Sequence, residues 1–252
     1  RDRAAYFRSD RNSPAANFPR GANPLSVIEA VHASSTAPVN YFDEPAAFGD
    51  RRYWDGGMAG LNNPILAAVV EALAYDTAPT DIGVLSIGTG NDFRPTKGPC
   101  ASPELLHPKE PTGVADSIRK AASAAVADPP DTASFIAYRM LGGALPQAAG
   151  ALPVAPTSVV RLNPLIRPTI QNRQWQRPGN VSADEFVKLA EMDLAVIDDN
   201  SVKLVDRFCN GWMSDLWPNQ PIRHGSDTEN GLPNGRFCEI GHSVYSAAKA
   251  AW

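Results

Sequence analysis

Between Tyr53 and Gly90 the chain reads without a break as strand, acid-bearing turn, helix and strand, and this order restricts the fold more than any other stretch. Tyr53 and Trp54 favour extended backbone, and the glycine pair after Asp55 lets the main chain turn sharply and approach its neighbours closely. The acid is therefore placed at a strand end. Asn63 suits a helix cap and Pro64 a first helical position, with Ile65, Leu66, Val69, Val70 and Leu73 recurring at helical spacing. Ile82-Gly83-Val84-Leu85-Ser86-Ile87 is a nearly unbroken apolar run, the pattern of a strand buried on both faces of a parallel sheet, and it ends in Gly88-Thr89-Gly90. A strand–helix–strand unit carries its ligand sites at the carboxyl ends of its strands, so Asp55 and the Gly88, Thr89, Gly90 turn are both expected there. On this element alone Asp55 has a plainer reading, since most Asp-Gly pairs simply close turns.

The chain has 252 residues and is 43% hydrophobic, enough for one large domain or two small ones with a proper core. A net charge of -4 with scattered basic residues argues against nucleic acid as a partner. Cys100, Cys209 and Cys238 lie far apart in an odd count, which points away from a disulfide framework and towards a reducing, cytoplasmic compartment. His32, His107, His224 and His242 form no pair at metal-ligand spacing, so no metal is assigned. No signal peptide and no run long enough to span a bilayer stands out. The abrupt start at Arg1, with residues 4–8 reading as a strand, suggests a sequence that begins inside a domain.

Elsewhere the signals are more ordinary. Residues 9–23 read as a loop, and Asn23-Pro24 opens a helix whose apolar stripe is Leu25, Ile28 and Val31. Residues 43–52 read as a polar turn region. The Pro-rich stretch 91–112 is too long for a simple connector and is read as a lid or regulatory segment, or more plainly as a mobile surface loop. An Ala-rich helix over 113–127 is followed by a second one capped by Asp131 and stopped by Gly142-Gly143. Val159 to Leu162 form a strand, residues 163–180 are polar and irregular with Trp175 as an anchor, and Ser182-Ala183-Asp184-Glu185 is a capping box. Helical periodicity runs through Val202, Val205, Phe208 and Trp212. Residues 1–217 are taken as one domain and 218–252 as an irregular appendage with a short helix near 244–251.

Three motifs in order carry a resemblance. Ala33-Ser34-Ser35-Thr36-Ala37-Pro38 with Tyr41-Phe42, then Trp54-Asp55-Gly56-Gly57 with Asn62-Asn63-Pro64, then Leu85-Ser86-Ile87-Gly88-Thr89-Gly90 resemble the second half of a patatin-like phospholipase domain. Such a resemblance implies an α/β fold of three layers, a central mostly parallel sheet flanked by helices. It implies a Ser-Asp dyad without cofactor, in which Asp55 is the base and Gly56, Gly57, Gly88, Thr89 and Gly90 shape the site. It also implies a phospholipid or lysophospholipid substrate, met transiently at a membrane surface by a protein peripheral to it. A carboxylate in contact with a serine hydroxyl can take its proton, although an ordinary carboxylate is a weak base and needs alignment and an oxyanion hole to help it.

The departure from the family is equally plain. No Gly-x-Ser-x-Gly elbow and no glycine-rich oxyanion loop occurs anywhere, and Ser86 lies within a strand rather than on an elbow. In the family both motifs precede the region that begins near Ala4, so the nucleophile belongs to an N-terminal portion that has been removed or is supplied by a second chain. The other class of reading is a non-catalytic module of the same fold that binds lipid or protein. His32 stands where many relatives carry arginine and is read as structural. Ser34 and Ser35 are read as local caps. Gly88-Thr89-Gly90-Asn91-Asp92-Phe93 lacks the third glycine of a dinucleotide fingerprint, so no nucleotide is expected.

Overall fold

The structure is a computed structural model that describes residues 6–7, 25–38, 41–92, 94–96, 98, 102–109, 112–143, 158–177, 181–192, 196, 198–214, 216–217, 219–220, 225–226 and 233–234. The chain divides into two compact units, Arg1–Ile82 with Thr112–Met140, and Gly83–Pro111 with Leu141–Trp252.

In the first unit, helix α1 (Val27–Ser35) is opened by Ser26, whose hydroxyl accepts the Glu29 amide while the Glu29 carboxylate accepts the Ser26 amide at 2.7 Å. This reciprocal capping box is the start signal; the Asn23-Pro24 start falls outside the described residues. The stripe expected to face the core does not do so, for Ile28 is 82% and Val31 62% exposed. The packed face runs instead through Ala33 and Thr36, whose small side chains let α1 lie close to strand β1 (Ala46–Phe48). Residues 43–52 are more than a turn: β1 pairs antiparallel with β2 (Arg51–Tyr53), and Gly49 takes φ +61 at the bend.

Helix α2 (Ile65–Ala74) follows, one residue later than the Asn63-Pro64 signal places it, and buries Ile65 and Val69 on one face. That face packs on α3 (Val114–Met140), which buries Ser134, Ala137 and Tyr138 at matching helical spacing. The two helices expected over 113–141 are thus one. Pro129 and Pro130 remove two amide donors from the ladder without ending it, and Asp131 is an interior residue rather than a cap. Gly142, at φ +83, follows the helix end.

In the second unit β3 (Val84–Ile87) runs parallel to β5 (Val159–Leu162), and directly beyond them β4 (Asn91–Asp92) runs parallel to β6 (Leu165–Ile166). Two consequences correct the reading from sequence. Strand β2 pairs with β1 and β3 with β5, so the strand–helix–strand segment is not a parallel pair closed on itself. Strand β3 is not buried on both faces either: Ser86 is buried, but Leu85 is 51% and Ile87 71% exposed.

Residues 169–176 form a hairpin, β7 (Thr169–Gln171) with β8 (Gln174–Gln176), whose turn residues Asn172 and Arg173 have φ 50 and 62. Two positive φ values in a two-residue turn match the twist of the flanking strands. Trp175, from that hairpin, is 1% exposed and joins Leu105, Phe186, Leu204, Phe208 and Trp217 in the unit's core. Its anchoring role is as expected, whereas the irregular backbone is not. Leu105 reaches this core from the Pro-rich stretch, so the described part of that stretch is tied down rather than free as a lid. Helix α4 (Ala183–Ala190) has the Ser182–Glu185 capping box read from the sequence, and α5 (Asp199–Met213) is capped by Asp198. Residues 225–226 (β9) and 233–234 (β10) form a short antiparallel pair, and the helix expected near 244–251 lies outside the described residues.

Helices and short strands, paired both parallel and antiparallel, make a mixed α/β fold. Among the described residues no helix is long and apolar enough to cross a membrane.

Candidate functional site

Asp55 leaves β2 two residues after its end and immediately caps a tight 3-10 turn, Gly56–Ala59. Its amide donates to the Thr36 carbonyl at 2.9 Å, which fixes the end of α1 beside it, and its own carbonyl accepts the Met58 amide at 3.1 Å. Oδ1 accepts the Gly57 amide at 2.8 Å. The carboxylate is thereby locked by the backbone that follows it, the ordinary behaviour of an aspartate opening a turn. The other oxygen, Oδ2, takes no hydrogen bond among the described residues, and the residue is half-buried.

The two glycines differ in what they permit. A Cβ on Gly57 would run into Asn62 Oδ1 and stand 3.5 Å from Asp55 Oδ1, whereas one on Gly56 would meet only Leu61, at 3.6 Å. Gly57 is therefore the more confined of the two, hemmed in by the Asn62 side chain. Gly60, at φ 74, ends the turn and returns its amide to the Gly57 carbonyl at 3.0 Å.

Gly88, Thr89 and Gly90 belong to the second unit, at the carboxyl end of β3. The Gly88 amide donates to the Leu162 carbonyl at 2.8 Å and the Asn91 amide to the Pro164 carbonyl at 3.0 Å, so the turn is stitched to β5 and β6 on both sides. Between them the Gly90 amide donates to Asn163 Oδ1 at 2.9 Å, with Gly90 at φ +105. Asn163 is 1% exposed; its Nδ2 donates to Gln220 Oε1, which also accepts Asn91 Nδ2 at 2.5 Å. Asn219 completes the set, accepting the Asn163 amide and donating to the Arg161 carbonyl, each at 2.7 Å. A Cβ at Gly88 would collide with the Asn163 amide, so that glycine is demanded by its neighbour.

Asn163, Asn219 and Gln220 had no signal in the sequence, for amides carry no motif and their partners lie far off in the chain. Ser86, set aside as a nucleophile, is buried and accepts Arg161 Nη1 at 2.8 Å. His32 sits edge-on to Phe48, ring centroids 5.7 Å apart, on an exposed side of α1 rather than near a core face.

Near the turn, Asp92 pairs with the buried Arg94 at 3.0 Å, and desolvation pushes the Asp92 carboxyl upward while Arg94 draws it back. Among the described residues no cluster of three or more His, Cys, Asp or Glu side chains could hold a metal. A shallow depression of about 630 Å³ lies along α5, lined by Lys203, Arg207, Asn210 and Ser214, and includes none of the residues singled out from the sequence. Comparison with known protein families, with characterised proteins and with solved structures finds no match to this chain.

Proposed function

We propose that the chain is the C-terminal part of a patatin-like lipid acyl hydrolase domain, a three-layer α/β fold in which Asp55 is the general base of a Ser-Asp dyad. The observation that carries this reading is the Asp55 carboxylate itself, with Oδ1 tethered to the Gly57 amide and Oδ2 left open. A base needs one fixed and one available oxygen: the first sets its aim and the second takes the proton.

In the reaction, a serine on the N-terminal segment passes its hydroxyl proton to Asp55 Oδ2 while its oxygen adds to the ester carbonyl of a phospholipid or lysophospholipid. Collapse expels the alcohol, which leaves with the proton from Asp55, and the acyl group stays on the serine. Water then repeats the sequence and releases the fatty acid. No cofactor takes part. The membrane is the surface from which substrate is drawn, so the protein works at its periphery.

Bare surfaces also support a missing segment. Val27, Ile28 and Val31 expose a continuous apolar strip of α1. On β3, Val84 and Gly88 direct their amides to the β5 side, so by alternation Leu85 and Ile87 direct theirs to the other edge, where no strand pairs among the described residues. Parallel strands are ordinarily covered on both faces, and a free edge is ordinarily paired, covered or blunted.

The test uses the full-length source protein. Intact mass and N-terminal sequencing establish whether residues precede Arg1, and a fluorophosphonate probe then labels any activated serine. Labelling that Asp55→Ala abolishes is the expected result. A protein that starts at Arg1 and takes no label sinks the hydrolase reading and leaves a non-catalytic lipid- or protein-binding module, which the lack of a nucleophile elbow favours.

A further inference from the structure

Within the first unit, the end of α1 meets the chain that leaves β2 at Thr36. Thr36 has φ -81 and ψ 79, and across it the Ala37 amide donates to the Ser35 carbonyl at 3.0 Å. Those angles and that bond make an inverse γ-turn centred on Thr36. The consequence is directional: a helical carbonyl points along the helix axis, whereas this turn swings the Thr36 carbonyl out to accept the Asp55 amide at 2.9 Å. The side chain closes the turn from the other side. Thr36 Oγ1 donates to the His32 carbonyl at 2.7 Å, satisfying an acceptor that a helix end leaves open, and the residue is 1% exposed. One buried residue therefore fixes the helix end with its hydroxyl and the main chain of Asp55 with its carbonyl. Beyond the acid, the Gly57 amide holds Oδ1 at 2.8 Å.

We propose that Thr36 is a positioning residue for Asp55: its hydroxyl locks the γ-turn, and the locked turn holds the acid's main chain so that Oδ2 keeps one direction. The assignment rests on the hydrolase reading for what that direction serves, not for the anchor itself. Thr36 touches no substrate. Thr36 fixes where the Asp55 backbone stands, and Gly57 fixes how its carboxylate is turned. Without the hydroxyl the Thr36 peptide is free to rotate, and a reacting group displaced by about 1 Å can lose about a hundredfold in rate.

Two variants separate this role from packing, because they point in opposite directions. Thr36→Val keeps the shape and removes the hydroxyl, whereas Thr36→Ser keeps the hydroxyl and removes a methyl group. Ser35→Ala, which removes an exposed hydroxyl 3.4 Å from the same His32 carbonyl, is the control. Amide exchange is followed by NMR in the full-length source protein, with Val69 of α2 as the reference for general loosening. Relative to Val69, Thr36→Val should speed exchange of the Asp55 and Gly57 amides about fivefold, the equivalent of one ordinary hydrogen bond. Thr36→Ser and Ser35→Ala should stay at the parent's relative rates. No change in Thr36→Val, or a larger one in Thr36→Ser, overturns the anchor and leaves Thr36 a packing residue.

The second measurement is hydrolysis of p-nitrophenyl butyrate, a soluble short-chain ester. In Thr36→Val kcat should drop at least about tenfold with KM within about twofold of the parent, and Thr36→Ser should return kcat to within about threefold. An unchanged kcat in Thr36→Val overturns the positioning role even where exchange has moved. Fluorophosphonate labelling of the unmodified protein reads the hydrolase separately. Without labelling, the base that Thr36 serves is gone and the positioning role with it, while the exchange pattern decides whether the anchor stands. Labelling with unmoved exchange removes the anchor and leaves the enzyme.

Discussion

Asn63 and Ser134, 71 residues apart in the chain, meet in a buried hydrogen bond of 2.7 Å from Asn63 Nδ2 to Ser134 Oγ. Asn63 also offers Oδ1 to the Ile65 amide at 3.4 Å, so one side chain both opens α2 and ties it to α3. Asn63→Ala breaks both roles in a site only 2% exposed and should cost about 1–3 kcal/mol. Ser134→Ala should cost less, about 1 kcal/mol, because only one small hydroxyl is lost. Urea midpoints of the two single variants and the double variant check this. The double should fall short of the sum by at least about 0.5 kcal/mol, and strict additivity would mean that the two residues do not support each other.

Gly56 and Gly57 look equivalent in the sequence and differ in the fold. Gly57→Ala forces a Cβ against Asn62 Oδ1, so the Asn62 side chain has to move, while Asp55 Oδ1 at 3.5 Å is an ordinary contact. Overpacking of this kind costs about 1–3 kcal/mol. Gly56→Ala makes only an ordinary contact with Leu61 and should change stability by no more than about 0.5 kcal/mol. On the proposed hydrolase reading, fluorophosphonate labelling of the full-length source protein should slow more in Gly57→Ala than in Gly56→Ala. Equal effects would detach the second glycine from the aim of the acid.

What the sequence made legible was local. Ser182 and Glu185 announce α4 because both halves of a capping box lie within four residues, and Trp175 announces an anchor because so large an indole is seldom left outside. The β1–β2 hairpin was hidden because Ala46-Ala47-Phe48 carries no β-branched residue and its bend, Gly49-Asp50, reverses the familiar Asp-Gly order. Asn172-Arg173 concealed the second hairpin for the same reason, an arginine standing where glycine is usual. At the candidate site, the Asp55 turn was readable from five consecutive residues. Asn163, Asn219 and Gln220 were not, since what makes them matter is which backbone amide each happens to meet. The apolar run of β3 identified a strand correctly but not its burial, because hydrophobicity records what a strand can bury and not what is present to cover it.

The core of the second unit gathers around Trp217, stacked on Phe186 at 6.2 Å and met edge-on by Phe208 at 4.8 Å. Phe186 is fully buried, so Phe186→Ala opens a cavity that α4 and α5 cannot readily collapse into, at about 3–5 kcal/mol. Gly211 faces the same ring, and its Cβ position lies 3.0 Å from Trp217 Cδ1. Gly211→Ala should therefore press on the indole, at about 1–3 kcal/mol, despite the gain in helix propensity. Thermal unfolding measures both. A Gly211→Ala protein more stable than the parent would show that the indole yields freely.

Acid should loosen the second unit through its helix caps. Hydrogen bonds from the Ser201 side chain and amide, then from Asn200, hold the Asp198 carboxyl below the usual carboxylate range, and the Ser182 amide followed by Arg207 does the same for Glu185. A carboxyl lowered in the folded state contributes stability that is present above its unfolded value and lost as pH falls through the folded one. Asp92 has the opposite sign: burial raises it, so its contribution is present below the ordinary aspartate value and lost as pH rises through the raised one. Asp198→Asn keeps a good cap while removing the titration. Its urea midpoint should lie below the parent's near neutrality and converge on it as pH falls below about 4, whereas Asp92→Asn should lose stability more steeply than the parent as pH falls towards about 4 from above. Parallel acid profiles for Asp198→Asn and the parent would show that the Asp198 charge adds nothing beyond the cap.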